Sequence, residues 1–134
     1  MAPPTEPSAA QQLKSRGGVG RIWRALGYSR AGLQAAVRHE AAFRQELALG
    51  IPMVLLAAWL APTALQAVAL VGVVMLVWIV ELINSAIEAV ADTVSEDFHP
   101  LIGRAKDFGS AAVLLSLVLA GLTWAVVLGA RWFG

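Results

Sequence analysis

Three stretches of the chain are apolar at nearly every position, and a fourth is apolar on one side only. The continuous runs are Leu47 to Pro62, Ala64 to Val80 and Gly109 to Ala130. About 20 residues at 1.5 Å each cross the hydrocarbon of a bilayer. The third run is long enough as it stands. The second holds one polar residue, Gln66, and continues helically through Glu81 to Asp92, while the first borrows Ala41, Ala42 and Phe43 before it. From about Val19 to Arg38 the pattern mixes Ile22, Trp23, Leu26, Leu33 and Val37 with Arg21, Arg24, Arg30 and Arg38, which suits an amphipathic helix lying among lipid headgroups. Gly27 and Gly32 weaken its helix propensity. The prediction is an all-α membrane protein with three transmembrane helices, about 41–61, 64–92 and 108–130, and an N-terminal interfacial helix, about 19–38. Together they form one domain, 19–134, behind a disordered cytoplasmic tail, 1–18.

Several residues punctuate this pattern. Pro52 lies inside the first span and is a candidate kink, tolerated where neighbours satisfy the freed carbonyl. Pro62 and Thr63 make a tight turn, with Thr63 the expected N-cap of the next helix. Arg44, Gln45 and Glu46 fall at an interface, where Arg44 can snorkel. Gly121, Ala125 and Gly129 recur every four residues, a face along which helices can approach closely.

Composition strengthens the membrane reading. The 134 residues are 58% hydrophobic and 14% charged, against roughly half and a quarter in a soluble domain. The absence of cysteine excludes disulfides, thiolate metal sites and cysteine nucleophiles. Seven of the ten Lys and Arg precede the first run: Lys14, Arg16, Arg21, Arg24, Arg30, Arg38 and Arg44. Arg104 and Lys106 lie between the last two runs, and only Arg131 lies at the far end. By the positive-inside tendency the N-terminus is cytoplasmic and the C-terminus outside. Met1 to Gly20 lacks the apolar core of a cleavable signal.

The candidate chemistry sits where the second run turns polar. Glu81, Asn84, Glu88 and Asp92 are three, four and four residues apart, so they project from one side of one helix. Ionisable groups at the edge of the hydrocarbon are costly unless paired, metal-bound or wet, and are functional candidates for that reason. Hard oxygen ligands suit Mg²⁺, which keeps waters and takes one or two carboxylates plus substrate phosphates. A further carboxylate can take the proton of an alcohol. These are parts of a phosphoryl-transfer site. The basic loop Gly103-Arg104-Ala105-Lys106-Asp107 offers cations for nucleotide phosphates. No GxxxxGK[ST] is present, Gly17-Gly18-Val19-Gly20 is not a GxGxxG motif, and His39 and His99 lack the spacing of a zinc pair. The stripe by itself also suits a non-catalytic assembly subunit or an ion-conducting oligomer.

The stretch ELINSAIEAVAD, Glu81 to Asp92, resembles the signature of the prokaryotic diacylglycerol kinase family. Three further segments agree with that family in order and spacing: Ala25-Leu-Gly-Tyr28-Ser, Glu40-Ala-Ala-Phe43-Arg44-Gln45-Glu46 and Gly103-Arg-Ala-Lys106-Asp107-Phe-Gly-Ser110. The resemblance covers about residues 20 to 134. It implies a homotrimer of three-span subunits in the bacterial inner membrane, moving the γ-phosphate of ATP, with Mg²⁺, to diacylglycerol. No nucleic-acid partner is implied.

Position by position, the resemblance makes Glu81 the catalytic base with Asn84 beside it. Glu40 and Glu88 match positions that hold Mg²⁺ and nucleotide. Arg21, Tyr28, Asp97, Phe98, His99, Lys106 and Asp107 match nucleotide contacts. Arg21, Ala25, Tyr28, Phe43, Arg44, Gln45, Glu46, Glu81 and Ser110 match the surroundings of the lipid. Two departures stand out: Asp97-Phe98-His99-Pro100 replaces a more usual Glu-Tyr-His-Glu, and the tail before Val19 is longer than is common. Relatives with the same signature phosphorylate undecaprenol, an alternative substrate. The Glu-Ala-Ala-Phe-Arg-Gln-Glu stretch resembles the diacylglycerol branch.

Overall fold

The computed structural model describes residues 18–94 and 99–134. Residues 1–17 of the expected tail, and Asp97 and Phe98 among the expected nucleotide contacts, lie outside the described residues. All regular structure among the described residues is α-helical: α1 Val19–His39, α2 Ala41–Leu60, α3 Ala64–Val94 and α4 Pro100–Phe133. The chain divides into two compact units at Ala35 and Ala36.

The first unit holds most of α1. Gly18 precedes it with φ 63, a left-handed conformation that glycine adopts without steric cost. Ile22, Trp23, Leu26 and Leu33 are all exposed, as is Arg30 between them, while Arg24 is half-buried. Arg21, Ala25 and Tyr28 share one helical face at spacings of four and three.

In the second unit α2, α3 and α4 are each long and apolar enough to cross a membrane. The 31 residues of α3 and 34 of α4 rise roughly 46 and 51 Å, so both helices outrun a hydrocarbon core of about 30 Å. Helix α3 is central and packs on both α2 and α4. Ala57 of α2, Leu70 and Val74 of α3, and Trp124 and Val127 of α4 form its core. Trp124 cannot leave its indole N–H bare in an apolar interior, and donates it to the Leu70 carbonyl at 3.3 Å.

Helix ends near Pro62 are closed by side chains. Thr63 caps α3 as its sequence position predicts: its Oγ1 accepts from Gln66 N at 3.2 Å and donates to Gln66 Oε1 at 3.2 Å. Arg131 Nη1 reaches the Leu60 carbonyl at the end of α2, at 2.9 Å. Helix α2 runs through Pro52 from Ala41 to Leu60. Between 17 and 22% of each candidate span is buried, which leaves a large apolar surface on all three helices.

Candidate active site

The last turns of α3 carry the polar stripe, and the neighbouring helices treat its members differently. Glu81 is 4% exposed and Asn84 8%, while Glu88 is half-buried. Asp92 turns outward to Lys106 of α4, Nζ to Oδ1 2.9 Å, in the one ion pair among the described residues. Glu81 lies within electrostatic reach of Glu88 and Glu40, and Glu46 within reach of Glu81. Glu40, Glu46 and Glu88 thus each lie near enough to Glu81 for like-charge repulsion, while among the described residues no three acidic or histidine side chains group closely enough to hold a metal ion by themselves. Such a set of charges repels itself and attracts a cation.

Glu40 owes its place to a break in the helix. It takes φ −101 and ψ 108 between α1 and α2, and its side chain makes no capping bond, so the carboxylate is not consumed by the helix end. Arg44 holds the other side of this joint. Its Nη1 donates to the carbonyls of Val37 and Arg38 at 3.2 and 3.3 Å, satisfying the last turn of α1. Phe43 is buried and Gln45 exposed. Glu46 is half-buried; its Oε2 has no hydrogen-bond partner, and its main-chain carbonyl accepts from Trp78 Nε1 at 3.1 Å. From Glu46 an apolar groove runs between α2, α3 and α4 past Leu49, Met53, Val77 and Leu117.

Asn84 Nδ2 donates to Glu88 Oε1 at 3.1 Å. That bond occupies one carboxylate oxygen and leaves the other available to a cation. Asn84 Oδ1 is buried without a partner and faces Gly109 of α4. The donor set fits a hard divalent ion: Glu40 is free of capping duty, Glu88 is oriented by an amide, and Mg²⁺ needs only one or two carboxylates beside phosphates and water.

The first turns of α4 precede its apolar run. His99 caps the helix, with Nδ1 accepting from Leu101 N at 3.2 Å and Pro100 in the first turn. The hydrogen bond from Lys106 to Asp92, and then the Asp92 charge, hold the ammonium above its ordinary range. Asp107 and Ser110 are exposed. The structure therefore brings together Glu40, Glu46, Glu81, Asn84 and Glu88, and gives Arg44, His99, Lys106 and Asp92 partners of their own. Gly50, Trp78 and Gly109 were not singled out by sequence reasoning. Gly50 and Trp78 gave no signal beyond a lone glycine or tryptophan inside an apolar run, and Gly109 none beyond its place in the Gly103 to Ser110 segment.

The family model for prokaryotic diacylglycerol kinase matches residues 27–128. The chain belongs to that family. All five clustered residues fall inside the matched region. Over 111 residues the chain is 51% identical to the diacylglycerol kinase of Escherichia coli K12, covering 83% of this chain and 91% of that protein. It is 45% identical over 116 residues to the diacylglycerol kinase of Pseudomonas aeruginosa, covering 87% and 94%. The diacylglycerol kinase of Haemophilus influenzae is 40% identical over 101 residues, 75% and 86% of the two chains. As a member of the prokaryotic diacylglycerol kinase family, the protein is a lipid kinase, and its three apolar helices make it a membrane protein.

Proposed function

We propose that this enzyme transfers the γ-phosphoryl group of ATP to the hydroxyl of diacylglycerol, forming phosphatidic acid and ADP. Glu81 accepts the hydroxyl proton as the lipid oxygen bonds to phosphorus and the bond to the ADP oxygen breaks. Its burial beside apolar turns of α3 is the observation that carries the assignment, because a carboxylate there forms no ion pair among the described residues. Glu40 and Glu88 hold Mg²⁺ with the nucleotide, and the ion supplies charge neutralisation on the phosphates. Asn84 orients Glu88. Arg21, Tyr28, Lys106 and Asp107, with Asp97, Phe98 and His99, contact nucleotide; Ala25, Phe43, Arg44, Gln45, Glu46 and Ser110 surround the lipid.

The family resemblance and the apolar surface left on the spans support assembly as a homotrimer. The seven basic residues before the first run support a cytoplasmic N-terminus, an external C-terminus and a site on the cytoplasmic face of the inner membrane.

A mixed-micelle assay with labelled ATP tests the reaction. Glu81→Gln should abolish transfer while leaving a folded oligomer in detergent; retained lipid kinase activity would refute the base assignment. Turnover of undecaprenol with none of diacylglycerol would move the enzyme to the other branch of its family.

A further inference from the structure

Gly109 of α4 lies directly over the Asn84 amide of α3. A methyl group added to Gly109 would strike Asn84 Oδ1 first and come within 3.3 Å of Cγ. Asn84 is 8% exposed, and its Oδ1 has no hydrogen bond. A buried acceptor without a partner is unfavourable, so an orientation that keeps one is held for another reason. The reason lies at the other end of the same planar group, where Nδ2 donates to Glu88 Oε1 at 3.1 Å. Turned over, the amide would set its oxygen against a carboxylate oxygen, acceptor to acceptor. With Nδ2 committed to Glu88, Oδ1 must point to the α4 wall, and that wall is the one residue with only hydrogens on its Cα.

We propose that Gly109 is a positioning residue for the Glu88 carboxylate, acting through Asn84, an inference that rests on the reading of Glu88 as a metal ligand. The bare Cα leaves room for one amide orientation. The amide holds Glu88 Oε1, and the half-buried carboxylate then presents its other oxygen at a fixed place. A methyl group at 109 displaces the far end of a side chain rather than backbone, so the packing recovers while the hold on Glu88 is lost.

The test uses the full chain in detergent micelles, with Mn²⁺ bound in the presence of a non-hydrolysable ATP analogue and followed by electron paramagnetic resonance. Partners that orient a metal ligand are commonly worth 10–100-fold in affinity. Asn84→Ala and Gly109→Ala should each weaken Mn²⁺ binding about tenfold or more, and Glu88→Gln at least as much. Adding Gly109→Ala to Asn84→Ala should change nothing further, because the methyl group has no amide left to displace. Gly72→Ala, whose methyl group meets nothing within 4 Å, should bind Mn²⁺ normally.

Normal binding by Gly109→Ala beside weakened binding by Glu88→Gln would overturn the positioning role and leave the metal reading intact. Normal binding by Glu88→Gln would overturn the metal reading itself. Equal losses in Gly72→Ala and Gly109→Ala, or losses that multiply in the double variant, would also overturn the proposal. If Gly109→Ala alone fails to fold, the double variant restores the space, and it must fold and bind Mn²⁺ as well as Asn84→Ala does.

Discussion

The Trp78 indole of α3 donates its N–H to the main-chain carbonyl of Glu46 on α2, at 3.1 Å. Trp78 precedes Glu81 by three residues, so this bond fixes α2 at the height of the carboxylates. Gly50 makes it possible, because a methyl group there would lie 2.7 Å from Trp78 Cζ2 and 2.8 Å from Val74 Cγ1. The close approach of α2 and α3 thus depends on one missing side chain.

Gly50→Ala should therefore cost about 1–3 kcal/mol through overpacking. Trp78→Phe keeps most of the ring but removes the donor, and should cost about 0.5–1.5 kcal/mol. Unfolding of the purified protein in mixed micelles measures both. A Gly50→Ala protein as stable as the parent would show that the helices separate freely at this level.

Glu46 contributes a carboxylate with one unpartnered oxygen to a cluster of like charges. Glu46→Gln keeps the shape and removes the charge. In the absence of nucleotide and metal it should be neutral to about 2 kcal/mol stabilising. Glu46→Ala leaves a void and should destabilise. Thermal unfolding without ligands separates the two, and a clear loss of stability in Glu46→Gln would mean that the charge has a partner in the assembled protein.

Lys106 has a partner already, which separates a structural role from a nucleotide contact. Lys106→Met and Asp92→Asn break the same pair. If Lys106 also meets nucleotide, Lys106→Met should raise KM for ATP several-fold while Asp92→Asn stays near the parent. Equal changes would assign the lysine to the loop alone. Because Asp92 holds the ammonium above the usual lysine value of 10.5, its contribution to folding is complete below that value. It is lost only as pH rises through the raised one, so stability profiles of the parent and Lys106→Met should run parallel across neutral pH.

The three spans and the face shared by Glu81, Asn84 and Glu88 were legible in the sequence for one physical reason. Lipid demands long apolar helices, and a helix of known pitch places residues three and four apart on one side. Thr63 was legible too, since a Thr before a helix and a Gln three residues on form a recognised cap. What the break at Glu40 does was not: the expected helices left 39 and 40 between them, but neither His39 nor Glu40 carries the turn chemistry of glycine, proline or asparagine, and nothing in the pattern showed that the Glu40 side chain would make no capping bond. Arg44 at the last carbonyls of α1 could not be foreseen without that break. Gly50 and Gly109 were hidden differently. Their meaning lies in what stands opposite, Trp78 in one case and Asn84 in the other, and a sequence does not list what faces a missing side chain. His99 is an intermediate case: a His followed by Pro suits a helix start, and the cap it forms depends on a ring nitrogen whose partner, Leu101 N, the sequence alone does not name.

Helix α3 fixes a depth as well as a face. From its Thr63 cap to Val80 it rises about 25 Å, a little less than the ~30 Å of a typical hydrocarbon layer, and Glu81 comes next. A thicker bilayer would draw that carboxylate into lipid, and a thinner one would strand apolar turns in water. With Glu81 as the proposed base, membrane thickness would act on the reaction itself, through the vertical position of a single acid.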